Sequence, residues 1–152
     1  MSIEENKAIT RRWFGMEDFR GIHEAEDPKA ALEETLRRVL GEITAPELVV
    51  HDTDGDITYE SFIQYNIEFL TAFPDVSFSI EDMVAEGDRV AIRAIGRGTH
   101  TGPYRGMPAT GKKVEVSMIG IGRYVNGKMA ELWRISDRLG MMQQLGVMPP
   151  PR

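Results

Sequence analysis

The hydrophobic period of this chain changes once, at Pro74. Upstream, apolar residues recur at helical spacing. Leu32, Leu36, Val39 and Leu40 form one stripe, and Phe62, Ile63, Ile67, Phe69, Leu70 and Phe73 another. Downstream they alternate, Val76, Phe78 and Ile80 being interleaved with Ser77, Ser79 and Glu81. Pro74 ends the last helix because a residue before proline avoids the helical region. Helices first and antiparallel strands second is an α+β order, and it predicts a curved antiparallel sheet with N-terminal helices packed on one face.

Local signals set the element boundaries. Ser2 and Glu5 have capping-box spacing and open a helix over about 4–16. Asp27-Pro28 opens a second over about 28–40, with Gly41 at its C-terminal cap. Leu48-Val49-Val50-His51-Asp52 is a short apolar run ending in the turn Asp54-Gly55-Asp56, and Thr58 caps a third helix over about 59–73. Strands follow over 76–81, 89–99, 113–125 and 128–135, separated by the turn at Glu86-Gly87-Asp88 and a Gly/Pro-rich loop over 101–111. Asn126-Gly127 predicts a tight hairpin, since both central residues of a type I′ turn need positive φ. Leu139–Leu145 reads as one short helix and 147–152 as a frayed tail. No linker divides the chain, so 1–152 is read as one domain with a helical insertion around 20–45.

Composition excludes several functions. The net charge of −6 argues against a phosphate-backbone binder, so no nucleic-acid partner is expected. There is no cysteine, which removes disulfides, thiolate catalysis and sulfur-based zinc sites. No apolar run reaches the ~20 residues of a membrane span. The polar, acidic start is unlike a signal peptide, so a cytoplasmic location is expected.

The second half carries a family pattern. Its segments are Phe73-Pro74-Asp75, the run Ile80–Val90, Gly98-Thr99-His100-Thr101-Gly102, and Gly106-Met107-Pro108-Ala109-Thr110-Gly111-Lys112. They continue with Asn126–Trp133, Asp137-Arg138-Leu139-Gly140 and Gln143-Gln144-Leu145-Gly146. In order and spacing this resembles the SnoaL-like polyketide cyclase (ester cyclase) branch of the NTF2-like superfamily. The resemblance implies a cone-shaped barrel enclosing a hydrophobic pocket, a homodimer, and a ring closure by aldol condensation that needs neither metal nor cofactor. A buried aspartate resembling Asp137 would be the acid/base, and His51 and His100 resemble pocket residues that hold a carbonyl. Isomerases, hydrolases and non-catalytic binders of small hydrophobic molecules share the fold, so fold alone does not fix function.

The residues themselves offer two readings of Asp137 and a set of lining candidates. An aldol step removes a proton next to a carbonyl and stabilises the enolate. A carboxylate becomes a base for this when burial lifts its pKa. Met129, Glu131, Trp133 and Ile135 share one parity, and continuing the strand brings Asp137 to the face of Trp133. The alternative is that Asp137 caps the helix after it. Phe62, Asn66 and Phe69 lie on one side of the third helix and would roof a cavity. Trp13, Tyr104, Met118 and Trp133 are further candidate lining. His23 lies in a polar connection, and the three histidines have no metal-site spacing.

Overall fold

The computed structural model describes residues 2–150. Within them the order is α1 (Ile3–Phe14), α2 (Pro28–Ile43), β1 (Thr44–Asp52), β2 (Gly55–Thr58), α3 (Tyr59–Ala72), β3 (Ser77–Glu86), β4 (Arg89–Thr99), β5 (Lys113–Val125), β6 (Lys128–Ser136) and α4 (Arg138–Leu145). Two single-turn 3-10 helices, Glu17–Phe19 and Ile22–Glu24, join α1 to α2. Of the tail expected over 147–152, residues 151–152 lie outside the described residues.

The α+β class holds, but the division at Pro74 is not clean, since β1 and β2 precede it and α4 follows it. The strands form one curved sheet in the order β2-β1-β6-β5-β4-β3. The sheet does not close, so β2 and β3 are edges. All pairings are antiparallel except β1 with β6, which is parallel. β1 is longer than its apolar run predicts because it begins directly at the end of α2. Its register against β6 shifts between Thr44 and Val49, around Pro46. Proline has no N–H, so it falls where the ladder is interrupted.

Most boundary signals work as read. Ser2 Oγ accepts the Glu5 N–H at 3.1 Å, and Asp27 Oδ1 accepts the Ala30 N–H at 3.1 Å. Asn126 and Gly127 both have positive φ, 50° and 75°. Two signals do not. Gly41 lies inside α2, which runs on until Thr44 turns extended and bonds Leu40 O through its hydroxyl. Thr58 precedes α3 but makes no side-chain capping bond.

Two bulges reset which residues face the helices. Register in β3 shifts between Ile80 and Asp82, so Phe78 and Ile80, then Met83 and Ala85, pack inward. Register between β5 and β6 shifts between Arg123 and Tyr124, opposite Ala130. Met129 is consequently buried with the core, while Glu131, Trp133 and Ile135 face away from it. The expected shared parity of Met129 and Trp133 is thus corrected, because one extra residue reverses the facing of a strand.

Ile63, Leu48, Val50 and Phe73 are buried to 1% or less in the core between the helices and the sheet. Each contributes about 1.5–3 kcal/mol on burial. The core-facing positions of β4 and β5 include Gly96, Gly98, Gly120 and Gly122. A Cβ on Gly96 would stand 3.0 Å from the Phe78 ring, and one on Gly98 3.3 Å from Phe73. The missing side chains let Phe78 and Phe73 lie close against the sheet, and a hollow remains beneath α3.

Gly102 makes the tightest backbone approach: a Cβ there would lie 2.4 Å from the Thr71 carbonyl oxygen. Gly102→Ala should therefore cost roughly 1–3 kcal/mol. Gly41→Ala meets nothing within 4 Å in the interior of α2 and should gain up to about 1 kcal/mol. Urea midpoints of the two variants check the pair, and a neutral Gly102→Ala would show that the approach constrains nothing.

Candidate functional site

The hollow is a cavity of two lobes, about 80 Å³ and 90 Å³. Asn66, Phe69, Phe78, Met118 and Arg134 line both lobes and form the waist between them. The first lobe, under α1, α2 and α3, is lined by Trp13, Phe14, Leu36, Val39 and Phe62. The second, between α3, α4 and the loop after β4, is lined by Tyr65, Phe73, Tyr104, Val114, Ser136, Arg138 and Met141. A water-sized sphere occupies about 10–15 Å³, so each lobe is narrow. The aromatic roof follows from helical spacing: Phe62, Tyr65, Phe69 and Phe73 succeed one another along one stripe of α3. Phe62, Tyr65 and Phe69 stack in turn at 6.1 and 6.2 Å, Phe73 lies tilted against Phe69 at 5.1 Å, and Trp13 stacks on Phe62 at 5.2 Å.

Arg134 is the charged group at the waist. Alternation along β6 points Leu132, Arg134 and Ser136 inward, opposite Gly122, Gly120 and Met118 of β5. Arg134 donates from Nε and Nη2 to Asp52 Oδ2 at 3.0 and 2.7 Å. Its guanidinium lies 5.4 Å from the Phe62 centroid and 5.0 Å from that of Tyr65. The Asp52 side chain is only 2% exposed. Burial by itself lifts its carboxyl, but the Arg134 charge and hydrogen bonds, the Thr53 N–H and Arg138 outweigh that and hold it below the usual carboxylate range.

A second layer closes this end of the cavity. Arg138 reaches Asp52 at 3.3 Å and also bonds Asp54. Arg105 donates to Asp54 at 3.2 Å, and its backbone N–H donates to Glu68 at 3.0 Å. Arg105 and Gly106 form the positive-φ turn, 47° and 78°, that folds Tyr104 back under the loop. Burial raises the Tyr104 hydroxyl pKa, so it keeps its proton. No carboxylate and no imidazole lines either lobe among the described residues.

Of the residues singled out in the sequence, Trp13, Phe62, Asn66, Phe69, Tyr104 and Met118 line the cavity. Trp133, His51, Asp137 and His100 do not. Trp133 lies on the opposite face of the sheet, stacked on His51 at 5.3 Å with Arg89 5.1 Å from its centroid. Asp137 is exposed rather than buried, and its Oδ1 accepts the Gly140 N–H at 2.8 Å as the N-cap of α4. A side chain at 140 would collide with that carboxylate, so Gly140 is what lets the cap form. His51 lies between Asp56 and Glu131, 2.6 Å from each. His100 is fully buried and stacked on Phe73; its Nδ1 accepts the Thr110 N–H at 3.2 Å, while Nε2 has no partner among the described residues.

Sequence reasoning missed Arg134, Asp52, Tyr65 and Ser136. The signal was present as parity, Arg134 and Ser136 alternating with Trp133 and Ile135. It was unreadable without knowing which face the helices cover. The uncovered face carries Ile119, Ile121, Trp133 and Ile135 along an open groove of about 940 Å³. Ile119 and Ile135 stand opposite each other across β5 and β6, at 60% and 73% exposure. No described helix is long and apolar enough to cross a membrane.

The family model for SnoaL-like polyketide cyclases matches residues 29–145. AclR from Streptomyces galilaeus, named as a candidate hydroxylase, superposes with a TM-score of 0.78 at 24% identity, covering 99% of this chain and 87% of that one. A protein of Jannaschia sp. CCS1, named as a candidate SnoaL-like polyketide cyclase, gives 0.74 at 21% identity and covers 98% of each chain. IdmH of Streptomyces antibioticus, named as a candidate polyketide cyclase, gives 0.65 at 30% identity over 78% of this chain and 92% of that one. No curated protein matches.

The His51 cluster has a definite pH signature. Hydrogen bonds donated to Glu131 and then Asp56 raise the His51 pKa, and the bond from His51 lowers that of Glu131. A histidine raised in the folded state stabilises fully below its ordinary value of about 6.5 and stops doing so as pH rises through the raised value. Glu131 adds its share only above its ordinary value, near 4.3. The stability lost in His51→Gln should therefore be largest between these two values and shrink in alkaline buffer. Urea midpoints of both proteins across pH check it; a pH-independent difference refutes the ion-pair assignment.

Proposed function

The chain belongs to the SnoaL-like polyketide cyclase family, and from that premise we propose that it is a cofactor-independent cyclase. In this reading it closes a ring in a hydrophobic carbonyl substrate by aldol condensation inside the two-lobed cavity. The observation that carries the reading is Arg134, which faces an apolar, aromatic-roofed cavity together with Asn66 and Tyr104. An aldol closure leaves the overall oxidation state unchanged, so it needs no redox partner. A carbon between two carbonyls is acidic enough to give its proton to a solvent water or hydroxide, with no strong protein base, provided the enolate is stabilised. A guanidinium facing an apolar, aromatic-roofed cavity does that. Solvent returns that proton to the alkoxide after ring closure, so the step balances. The enolate carbon then attacks the second carbonyl, and Tyr104, which keeps its proton, hydrogen-bonds the new alkoxide. Asp137, His51 and His100 lie outside the cavity, so this mechanism gives them no proton to move.

The absence of a carboxylate or imidazole from the lining favours one other reading, a binding module that holds the same compound without turning it over. The two separate on a synthetic 1,3-diketone carrying a third ketone placed for ring closure, followed by absorbance and mass spectrometry. The cyclase should close the ring faster than buffer, Arg134→Lys should slow it roughly 10²–10³-fold, and Asp137→Asn should stay close to the parent. Binding without acceleration supports the module. Activity abolished by Asp137→Asn but kept by Arg134→Lys would return the chemistry to the aspartate.

The uncovered sheet face supports a homodimer. Its isoleucine strip is flanked by charges already paired within the chain, Arg93 with Asp82 and Arg123 with Glu131, so a second copy would cover the strip by apolar contact rather than by new ion pairs. Light scattering should give twice the 17.1 kDa chain mass, and Ile119→Asp should halve it. A monomeric parent protein overturns the assignment.

A further inference from the structure

The two lobes differ in the hydrogen bonds they offer. In the first, beyond the waist, the charged lining residue is Arg12, which is paired with Asp18 at 3.3 Å and Glu42 at 2.6 Å. What remains for a ligand there is Trp13, Phe62, Leu36 and their apolar neighbours. The second lobe is different. The hydroxyls of Tyr65, Tyr104 and Ser136 line it and make no hydrogen bond to any described residue. Arg134 bonds Asp52 through Nε and Nη2, leaving Nη1 without a protein partner among the described residues. Asp52 fixes one edge of the guanidinium and the Phe62 and Tyr65 rings hold its plane, so the remaining donor is set before a ligand arrives. Asp52 itself lines neither lobe, and Asp54 and Glu68 are exposed, so the lumen sees donors without carboxylates.

Polar groups without a protein partner must bond water or a ligand, and a charged donor gains most from an anionic partner. An anionic oxygen is the ligand group that best satisfies a guanidinium N–H with several hydroxyls around it. An alkyl or aryl group is what the first lobe accepts. Resting on the reading that this cavity is the ligand site, we infer that it holds one elongated amphiphile. Its anionic planar head, a carboxylate or an enolate, lies against Arg134, Tyr65, Tyr104 and Ser136. Its apolar tail passes the Asn66–Phe69 waist and ends against Trp13 and Phe62.

The chain has two tryptophans, so Trp133→Phe leaves Trp13 as the sole reporter, and it lies in the tail lobe. Its fluorescence is titrated with 4-phenylbutanoate, the neutral 4-phenylbutanamide, and benzoylacetone below and above the pH at which it enolises. The carboxylate or the enolate should bind roughly ten- to a hundredfold tighter than the amide, and whichever does so identifies the head. Tyr104→Phe and Ser136→Ala, both conservative in shape, should weaken the anion several-fold and leave the amide unchanged. Arg134→Lys should erase most of the preference.

Equal affinity for anion and amide, or a preference that survives all three substitutions, overturns the inference. If Trp13 responds without charge preference, the inference fails and the cyclase reading stands. If the preference is intact and no ring closes, the cyclase reading fails and the inference stands.

Discussion

The ion pair between Asp52 and Arg134 joins the parts of the molecule that make the cavity. It ties the last residue of β1 to the inward face of β6, across the parallel pairing of the sheet. Arg138 extends the contact to α4, and Asp54 carries it on to Arg105 and the loop that supplies Tyr104. A buried pair of this kind adds little net stability, because desolvation offsets most of the attraction, but losing one partner strands a charge. Its consequence is orientation: a guanidinium held from behind by a carboxylate and from the side by two aromatic rings presents its remaining donor in one direction.

That arrangement changes how the chemistry is divided. The expected mechanism placed a lone buried carboxylate against an aromatic wall. In the structure the buried carboxylate is Asp52, already neutralised and held below the usual carboxylate range, and thus a weak base. The groups facing the lumen are donors. This is the arrangement on which the proposed stabilisation of an enolate rests. Asp137 caps the N-terminus of α4 over Gly140.

One sheet therefore carries two surfaces with separate roles. The inward face carries the two-lobed cavity and is roofed by the aromatic stripe of α3. The outward face carries the isoleucine strip, Trp133 and the His51 cluster. Residues adjacent in β6 serve different surfaces, Arg134 the cavity and Trp133 the outside. A shift of one residue would exchange them, and the bulge at Ala130 sets which is which.

Much of this was determined by the sequence alone. The change of period at Pro74, the Asn126-Gly127 turn and the Asp27-Pro28 start depend on local backbone preferences, which act over a few residues and are written in them. The stripe of α3 was equally legible, so Asn66, Phe62 and Phe69 could be placed on the cavity roof. The identity of the working face was not. Alternation divides a strand into two sets of residues but does not say which set the helices will cover, and an unsignalled bulge reverses the sets midway. The partnership of Asp52 with Arg134 spans 82 positions. Only the tertiary structure decides such a contact, because it arises when distant strands pair and bury both charges together.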